Sequence, residues 1–253
     1  KLELINLGHV FHSSSDTEVI IHAYAQYGLD AFAKFNGVFS LAIYDGRKKT
    51  CNQTIRFDDL IVVRGPIGVK PLYYAQTDTY FGFASELKTL LLDVNLSRDL
   101  DLEAINDYLT YLWCPAPRTP LKSIKKLEPG RFLIVRKGKI LVNKQYYDIP
   151  VRTKSTLSRS KFDDLVEETK YKVELAVQRQ MVSDVSIGAF LSGGLDSSSI
   201  VACMRKIEPD IDIDCFTIKS SNERSEGFSN DFTYANKVAR HLNVKLNTVE
   251  VGA

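Results

Sequence analysis

The 253-residue sequence contains no apolar run that approaches the roughly 20 residues of a membrane-spanning helix. Its start, Lys1-Leu2-Glu3-Leu4, lacks the charged-then-apolar order of a secretory signal peptide. The chain also lacks an excess of either charge, with 33 basic and 31 acidic residues. Its composition therefore offers no general attraction for nucleic acid or for a membrane surface, and we expect neither as a partner.

The sequence is poor in cysteine and histidine. Four cysteines, Cys51, Cys114, Cys203 and Cys215, stand far apart without the C-x-x-C spacing of zinc or redox sites. We expect reduced structural thiols, which together with the absent signal peptide favours a cytoplasmic protein. The four histidines are scattered with no pair at ligand spacing, so none is assigned to catalysis.

The most informative segment is residues 190–199, which places two glycines and four hydroxyls between an apolar run and a stretch of helical composition. Such a strand-to-helix turn accommodates an anion, because glycines adopt the required φ angles and the helix N-terminus presents free N–H groups. The six-residue glycine spacing and the Lys-Ser/Thr pair of the kinase and GTPase P-loop are absent. The pattern predicts a phosphate-binding loop, with a plain glycine-rich turn as the alternative.

Short aromatic and β-branched segments dominate the first part of the chain. Ser15 and Glu18 form a capping-box pattern that predicts a helix over residues 15–35. The segments that predict strands are residues 38–44, 60–63, 71–74 and 80–84. A hairpin is expected over 131–142, with Lys137-Gly138 at its turn. This part is predicted to be an α+β layered domain.

Residues 144–161 are polar and basic and predict a solvated linker between two domains, 1–148 and 149–253. Beyond the linker, predicted strands at 185–191, 213–218 and 247–251 alternate with helices near 197–206 and 230–242. Strand–helix alternation indicates an α/β fold with a parallel sheet. A ligand then belongs at the carboxyl ends of the strands, where the glycine-rich loop falls.

The order of several motifs carries a resemblance that no single motif would carry. The first half contains Ser15-Asp16-Thr17-Glu18-Val19, Asn36-Gly37-Val38-Phe39, Gly68-Val69-Lys70-Pro71-Leu72-Tyr73-Tyr74 and Phe83-Ala84-Ser85-Glu86-Leu87-Lys88. Lys126-Leu127-Glu128-Pro129-Gly130 and Leu191-Ser192-Gly193-Gly194-Leu195-Asp196-Ser197 follow. The first half resembles the glutaminase domain of class II amidotransferases, and the second resembles the synthetase domain of glutamine-hydrolysing asparagine synthetases.

The resemblance implies a fold and a reaction. The fold would be Ntn-hydrolase-like glutaminase layers followed by an ATP-pyrophosphatase-like parallel sheet. Glutamine-derived ammonia would amidate aspartate through a β-aspartyl-AMP intermediate, with ATP and Mg²⁺ required and AMP and pyrophosphate released. Two alternatives stay open, namely a related amidotransferase acting on a sugar acid or another carboxylate, and a non-catalytic nucleotide-binding module. A homodimer is also left open.

The resemblance also implies roles for individual residues. The phosphates would be held by Ser192, Gly193, Gly194, Ser197 and Ser198, with Asp196 as the catalytic residue, close enough to influence Mg²⁺. Leu191 and Ile218 would border the adenosine, although core packing explains both equally well. Asp231 matches the acid of a Glu-x-x-Tyr-Ala pattern in the family. Asp16 would bind the α-amino group of glutamine, the alternative being an acid that complements a helix dipole.

The chain departs from the family pattern at several positions. The family's glutaminase nucleophile is an N-terminal cysteine, and Lys1 cannot replace it. We therefore expect an internal fragment of a longer enzyme that is inactive alone. The Arg-Asp that precedes the Gly-x-Lys-Pro motif in the family appears as Arg64-Gly65, and the segment from 47 to 60 is longer than usual. These two changes put the local glutaminase geometry in doubt.

Overall fold

The computed structural model of the chain describes residues 1–46, 58–151, 159–220 and 231–251. The chain divides into two compact units, Lys1–Val151 and Arg152–Ala253. Each unit has its own buried apolar clusters. Among the helices of the described ranges, none combines the length and the apolarity that crossing a bilayer requires.

The first unit opens with three helices, α1 Leu2–Asn6, α2 Asp16–Tyr27 and α3 Ala31–Lys34. The helix predicted over 15–35 is thus correct in place, but the structure interrupts it at Gly28, which has a φ of 59°. Glycine adopts this left-handed φ without strain, so the chain leaves the α-helix there and forms one 3-10 turn.

In the described residues of the first unit, seven strands form two antiparallel sheets. The strands are β1 Ser40–Asp45, β2 Asp59–Arg64, β3 Tyr73–Gln76, β4 Phe81–Ala84, β5 Lys125–Lys126, β6 Arg131–Arg136 and β7 Lys139–Gln145. The larger sheet has the order β1-β2-β6-β7, and the smaller has the order β4-β3-β5. Helices α4 Leu87–Leu90 and α5 Leu102–Tyr111 lie between β4 and β5 in sequence. The hairpin prediction is confirmed, because Lys137 and Gly138 have φ angles of 49° and 74° between β6 and β7.

The central strands β2 and β6 are buried on both faces, which explains their continuous apolar sequences. One face, with Ile61 and Phe132, packs against Phe32 of α3. The opposite face, with Val62 and Leu133, packs against Tyr74 of the smaller sheet. Helices, the larger sheet and the smaller sheet therefore form successive layers.

The second unit alternates helices and strands as predicted. Its elements are α6 Arg159–Gln180, β8 Gly188–Phe190, α7 Leu195–Ile207, β9 Asp214–Ser220, α8 Asp231–Leu242 and β10 Lys245–Val251. The three strands form a parallel sheet with the order β10-β9-β8. Val201 of α7 and Ala235 of α8 pack with Cys215 of β9, so both helices cover the same face of the sheet.

The linker prediction is wrong at both of its ends. Residues 144 and 145 pair with β6 as the end of β7, and Tyr146 packs against the core of the first unit. Burial raises the pKa of Tyr146 to about 12, and its hydroxyl donates to the carbonyl oxygen of Arg64 at 2.8 Å. Helix α6 already begins at residue 159, and residues 152–158 lie outside the described residues.

Candidate functional site

The loop that was predicted to bind phosphate joins the carboxyl end of β8 to the first turn of α7. The N–H of Leu191 donates to the carbonyl oxygen of Phe216 at 2.9 Å, which fixes the start of the loop against β9. The hydroxyls of Ser192 and Ser197 lie 3.1 Å apart, and the N–H of Gly194 donates to Ser192 Oγ at 3.3 Å. The loop thus brings two of the predicted phosphate-binding serines into contact.

The helix that follows the loop presents hydrogen-bond donors to it. Gly194 is the N-cap of α7, and in the described part of the chain no side chain caps the first N–H groups of this helix. These groups carry the positive end of the helix dipole, which favours an anion. Within the described residues, the buried hydroxyl of Ser198 also has no hydrogen-bond partner. A buried hydroxyl without a partner is rare in folded proteins, and a phosphate oxygen would satisfy it.

Gly193 is the position in the loop where only glycine fits. Its φ is +82°, and a Cβ built there would lie within 2.5 Å of main-chain atoms of Tyr234 and Ala235. The loop therefore runs directly against the first turns of α8. Gly194, in contrast, has an ordinary φ of −71° and only a 3.4 Å contact from its built Cβ to Ser192 Oγ.

A cleft of about 210 Å³ beside the loop is lined in part by four of the residues singled out from the sequence. These are Leu191, Ser192, Ile218 and Asp231. Phe190, Phe216, Thr217 and Val249 also line this cleft and were missed. The period of two along β9 could have found Phe216, because it lies two residues before Ile218 and therefore on the same face.

The two apolar residues that were expected to border a nucleotide have different environments. Ile218 is 66% exposed on the face of the sheet opposite α7 and α8, whereas Leu191 is 1% exposed. Leu191 packs among the core residues of the second unit. Its side chain therefore serves the core, and Ile218 is the better placed of the two to contact a ligand.

Asp196 lies in the first turn of α7 and is exposed, and Asp231 starts α8. Over the described ranges, no three side chains of His, Cys, Asp or Glu converge on a metal position. Mg²⁺ often needs no such cluster, since one or two carboxylates and the phosphates of a substrate commonly hold it. Asp196 and Asp231 are carboxylates of this kind, and Asp231 lines the cleft beside the loop.

The first unit contains a separate cleft of about 830 Å³, and Asp16 lies on its wall. Ser15 is the N-cap of α2, and its hydroxyl accepts from the N–H of Thr17 at 3.2 Å. Because the Ser15 hydroxyl caps the helix, the exposed carboxylate of Asp16 is not needed as the N-cap group of α2. Lys70 and Glu86 line the same cleft and were missed as site residues.

The capping-box prediction is wrong in one half. Glu18 does not return to Ser15 but accepts hydrogen bonds from the N–H groups of His12 and Ser13, each at 2.7 Å. The hydroxyl of Ser13 also donates to it, at 2.5 Å. The hydrogen bond from the His12 N–H, assisted by those from Ser13, lowers the pKa of Glu18 to about 2.

The substitution Arg64-Gly65 has a structural explanation. A Cβ at residue 65 would lie 2.8 Å from the carbonyl oxygen of Phe39, so an aspartate side chain has no room there. Arg64 donates to the carbonyl oxygens of Gly68, Lys70 and Leu127 at 2.8, 3.1 and 2.6 Å. Its guanidinium thereby fixes the Gly68–Lys70 turn beside the cleft. Of the longer segment from 47 to 60, residues 47–57, including Cys51, lie outside the described residues, and β2 begins at Asp59. Cys114, Cys203 and Cys215 are free thiols.

The chain is similar in sequence to asparagine synthetases and to an amidase. The chain is 34% identical over 212 residues to asparagine synthetase [glutamine-hydrolyzing] 1 of Bacillus subtilis, covering 83% of this chain and 31% of that protein. It is 35% identical over 196 residues to a putative asparagine synthetase [glutamine-hydrolyzing] 2 of Methanocaldococcus jannaschii, covering 77% and 36%. It is also 24% identical over 253 residues to amidase chyE of Penicillium rubens, covering 95% and 35%. The chain thus spans about a third of the length of these relatives.

An NMN synthetase structure from Francisella tularensis matches 34% of each chain at 19% identity with a TM-score of 0.26, which is too low to support any argument.

Family matches cover most of the chain. Residues 1–147 match the glutamine amidotransferase domain family, and residues 168–253 match the asparagine synthase family. The chain therefore belongs to the family that joins a glutamine amidotransferase domain to an asparagine synthase domain.

Proposed function

We propose that this chain is part of a glutamine-hydrolysing asparagine synthase that activates aspartate with ATP. The observation that carries the proposal is the cleft of the second unit, where Ser192, Ile218 and Asp231 lie around one loop at the carboxyl edge of a parallel sheet. Ligands of open α/β sheets bind at this edge. The first unit would be a glutaminase with Ntn-hydrolase-like layers.

The loop residues suit the pyrophosphate part of ATP. The N-terminus of α7 and the hydroxyls of Ser192, Ser197 and Ser198 would donate to phosphate oxygens. Ile218, exposed on the sheet face opposite α7 and α8, would contact the adenosine. Fixed donors aimed at the departing pyrophosphate stabilise its charge without reorganisation, which lowers the barrier to attack by a carboxylate on the α-phosphorus.

Asp196 and Asp231 would hold Mg²⁺, which supplies charge neutralisation on the phosphates when it is bound with ATP. Asp196 follows the N-terminus of the same helix that would bind the pyrophosphate. The proposed role of Asp196 is to position Mg²⁺, so that the positive charge of the ion lies beside the pyrophosphate leaving group. The side chain is exposed and therefore available for this role.

The cleft of the first unit suits glutamine. Asp16 and Lys70 line it with opposite charges, as recognition of a free amino acid requires. Asp16 would bind the α-amino group, and Lys70 offers a cation for the α-carboxylate. The chain spans about a third of the length of its relatives, so glutamine hydrolysis is proposed for the complete protein and asparagine synthesis by this chain alone is not expected.

One observation favours an acceptor other than aspartate, namely the similarity of this chain to a relative named as an amidase. The test supplies the complete protein with Mg-ATP, ammonia and one carboxylic acid at a time, and measures AMP and pyrophosphate. Release that depends on aspartate, with asparagine as product, supports the proposal. Release of AMP and pyrophosphate with a sugar acid or another carboxylate, but not with aspartate, would identify that acid as the acceptor. No release with any acid would favour a non-catalytic module.

Asp196→Asn is expected to abolish pyrophosphate release while leaving glutamine hydrolysis intact. The control is Asp210→Asn, which removes an exposed carboxylate beyond the other end of α7. Equal activity of the two variants would contradict the role of Asp196.

A further inference from the structure

Two histidines of the first unit meet although they are 13 residues apart in sequence. His9 lies between α1 and α2, and His22 lies on α2. Their Nδ1 atoms are 3.1 Å apart, and their ring centroids are 5.0 Å apart with an angle of 70° between the planes. Both side chains are half-buried, and the ring of Phe11 lies 4.5 Å from that of His22. The sequence did not predict this contact, because residues 9 and 22 do not have the spacing of a ligand pair.

The outer nitrogen of each ring faces an oxygen acceptor. Nε2 of His9 lies 2.8 Å from Oε1 of Gln26, and Nε2 of His22 lies 3.5 Å from Oε1 of Glu18. Carbonyl and carboxylate oxygens accept hydrogen bonds, and the tautomer with its hydrogen on Nε2 suits the oxygen that each ring faces. A neutral imidazole has only one N–H. With both rings in this tautomer, the Nδ1 atoms direct lone pairs toward each other.

A ring that carries its hydrogen on Nδ1 makes an ordinary N–H···N hydrogen bond to the other ring at this distance, whereas two rings with their hydrogens on Nε2 can bind one cation through the Nδ1 lone pairs. Two nitrogens bound to one tetrahedral zinc ion at 2.0–2.1 Å are about 3.3 Å apart, close to the observed separation. Histidine ligands almost always donate their other N–H to a carboxylate or carbonyl oxygen, and here Nε2 of each ring faces such an oxygen. Glu18 also supplies a negative charge beside the pair.

We propose that His9 and His22 bind a late first-row divalent ion, with Zn²⁺ as the preferred occupant, through their Nδ1 atoms. Imidazole nitrogen suits Zn²⁺, Ni²⁺ and Cu²⁺ and disfavours Mg²⁺ and Ca²⁺. Since no third His, Cys, Asp or Glu joins the pair in the described part of the chain, water completes the coordination. Binding is therefore weaker than at a structural zinc site.

The proton and the metal ion compete for the same two nitrogens. The charged groups near the pair are Glu18, beside His22, and Lys1, whose Nζ lies 4.8 Å from the centroid of the Phe11 ring. Metal ions bind imidazole nitrogens that carry no proton, so metal affinity at histidine sites falls in acid. A bound ion would also connect the segment before α2 to α2 itself, so it stabilises the folded first unit.

The experiment titrates the full chain with Zn²⁺ at pH 8 by calorimetry and repeats the titration at pH 5.5. Wild type is expected to bind one equivalent, with at least tenfold weaker affinity at pH 5.5. His9→Asn and His22→Asn should each lose the site, and Gln26→Leu should weaken it about tenfold because it frees the His9 ring. The matched controls are His12→Asn and His241→Asn, which change exposed histidines and should retain the site.

Absence of binding by wild type, or unchanged binding by His9→Asn, would overturn the proposal. If the His9 and His22 variants do not fold, nitrogen-15 spectra of the wild-type imidazoles decide. Zn²⁺ is then expected to shift the Nδ1 signals of His9 and His22. Shifts confined to His12 or His241 would overturn the proposal equally. None of these readouts depends on the proposed enzymatic activity.

Discussion

Gly193→Ala is the most specific change that the structure offers for the loop of the second unit. The glycine has a φ of +82° and lies directly against the main chain of α8. Adding one methyl group alters neither charge nor hydrogen-bonding capacity. Its effect therefore reports the close approach of the loop to Tyr234 and Ala235.

Two costs determine the expected magnitude. An L-residue in the left-handed region costs about 1–2 kcal/mol. A new Cβ within 2.5 Å of main-chain atoms forces a backbone shift, and overpacking of this kind costs about 1–3 kcal/mol. The sum is about 2–5 kcal/mol, a large part of the roughly 5–15 kcal/mol that stabilises a domain.

The assay is amide hydrogen exchange followed by mass spectrometry on peptides from β8, α7 and α8. A loss of about 2 kcal/mol accelerates exchange through local opening about 30-fold, since 1.4 kcal/mol corresponds to a factor of ten. The control is Gly194→Ala, which keeps an ordinary φ and should change stability by about 1 kcal/mol or less. Equal exchange in the two variants would refute the argument that only glycine fits at position 193.

Three further predictions concern the first unit. Asp59→Ala should destabilise it by about 1–3 kcal/mol in urea unfolding, because Asp59 is fully buried and accepts from the partly exposed Arg136 at 2.6 and 2.8 Å. Glu18→Gln should lose the stability that the ionised carboxylate provides above pH 4.5, and this difference from wild type should disappear as pH falls from 4.5 toward 2. Asp16→Asn should weaken the use of glutamine in the complete protein but spare synthesis from ammonia.

Each of these predictions has a matched comparison. Asp78→Ala removes an exposed partner of Lys139 and should change stability by less than about 1 kcal/mol, so similar losses from both aspartates would contradict the first prediction. A stability difference for Glu18→Gln that stays constant from pH 6 to pH 2 would exclude a depressed pKa. Equal loss of activity with glutamine and with ammonia would show that Asp16 is structural.

The glycine-rich loop was predictable from sequence because its chemistry is local. Two glycines, neighbouring hydroxyls and a change from strand to helix composition lie within ten residues, and the structure keeps them together. The prediction of Ile218 required one further step, which was to place this residue on the next strand of the parallel sheet. Thr217 and Phe190 were missed because their proximity depends on the pairing of β8 with β9, in which Phe190 is opposite Phe216.

Contacts across irregular segments were the least predictable. His9 and His22 meet because the chain between α1 and α2 folds back, with Glu18 bound to the N–H groups of His12 and Ser13. No helical or strand period encodes such a fold. Similarly, the composition around Tyr146 indicates solvent exposure, but long-range packing against the sheet decides its burial.

The central claim is that a carboxylate is activated by transfer of AMP at the loop of residues 192–198. The most direct test supplies the complete protein with Mg-ATP, ammonia and aspartate labelled with oxygen-18 in its β-carboxylate, and analyses the products by mass spectrometry. Attack of the carboxylate on the α-phosphorus, followed by cleavage of the carbon–oxygen bond by ammonia, predicts AMP that carries one labelled oxygen. Unlabelled AMP, or label in inorganic phosphate with release of ADP, would contradict the account.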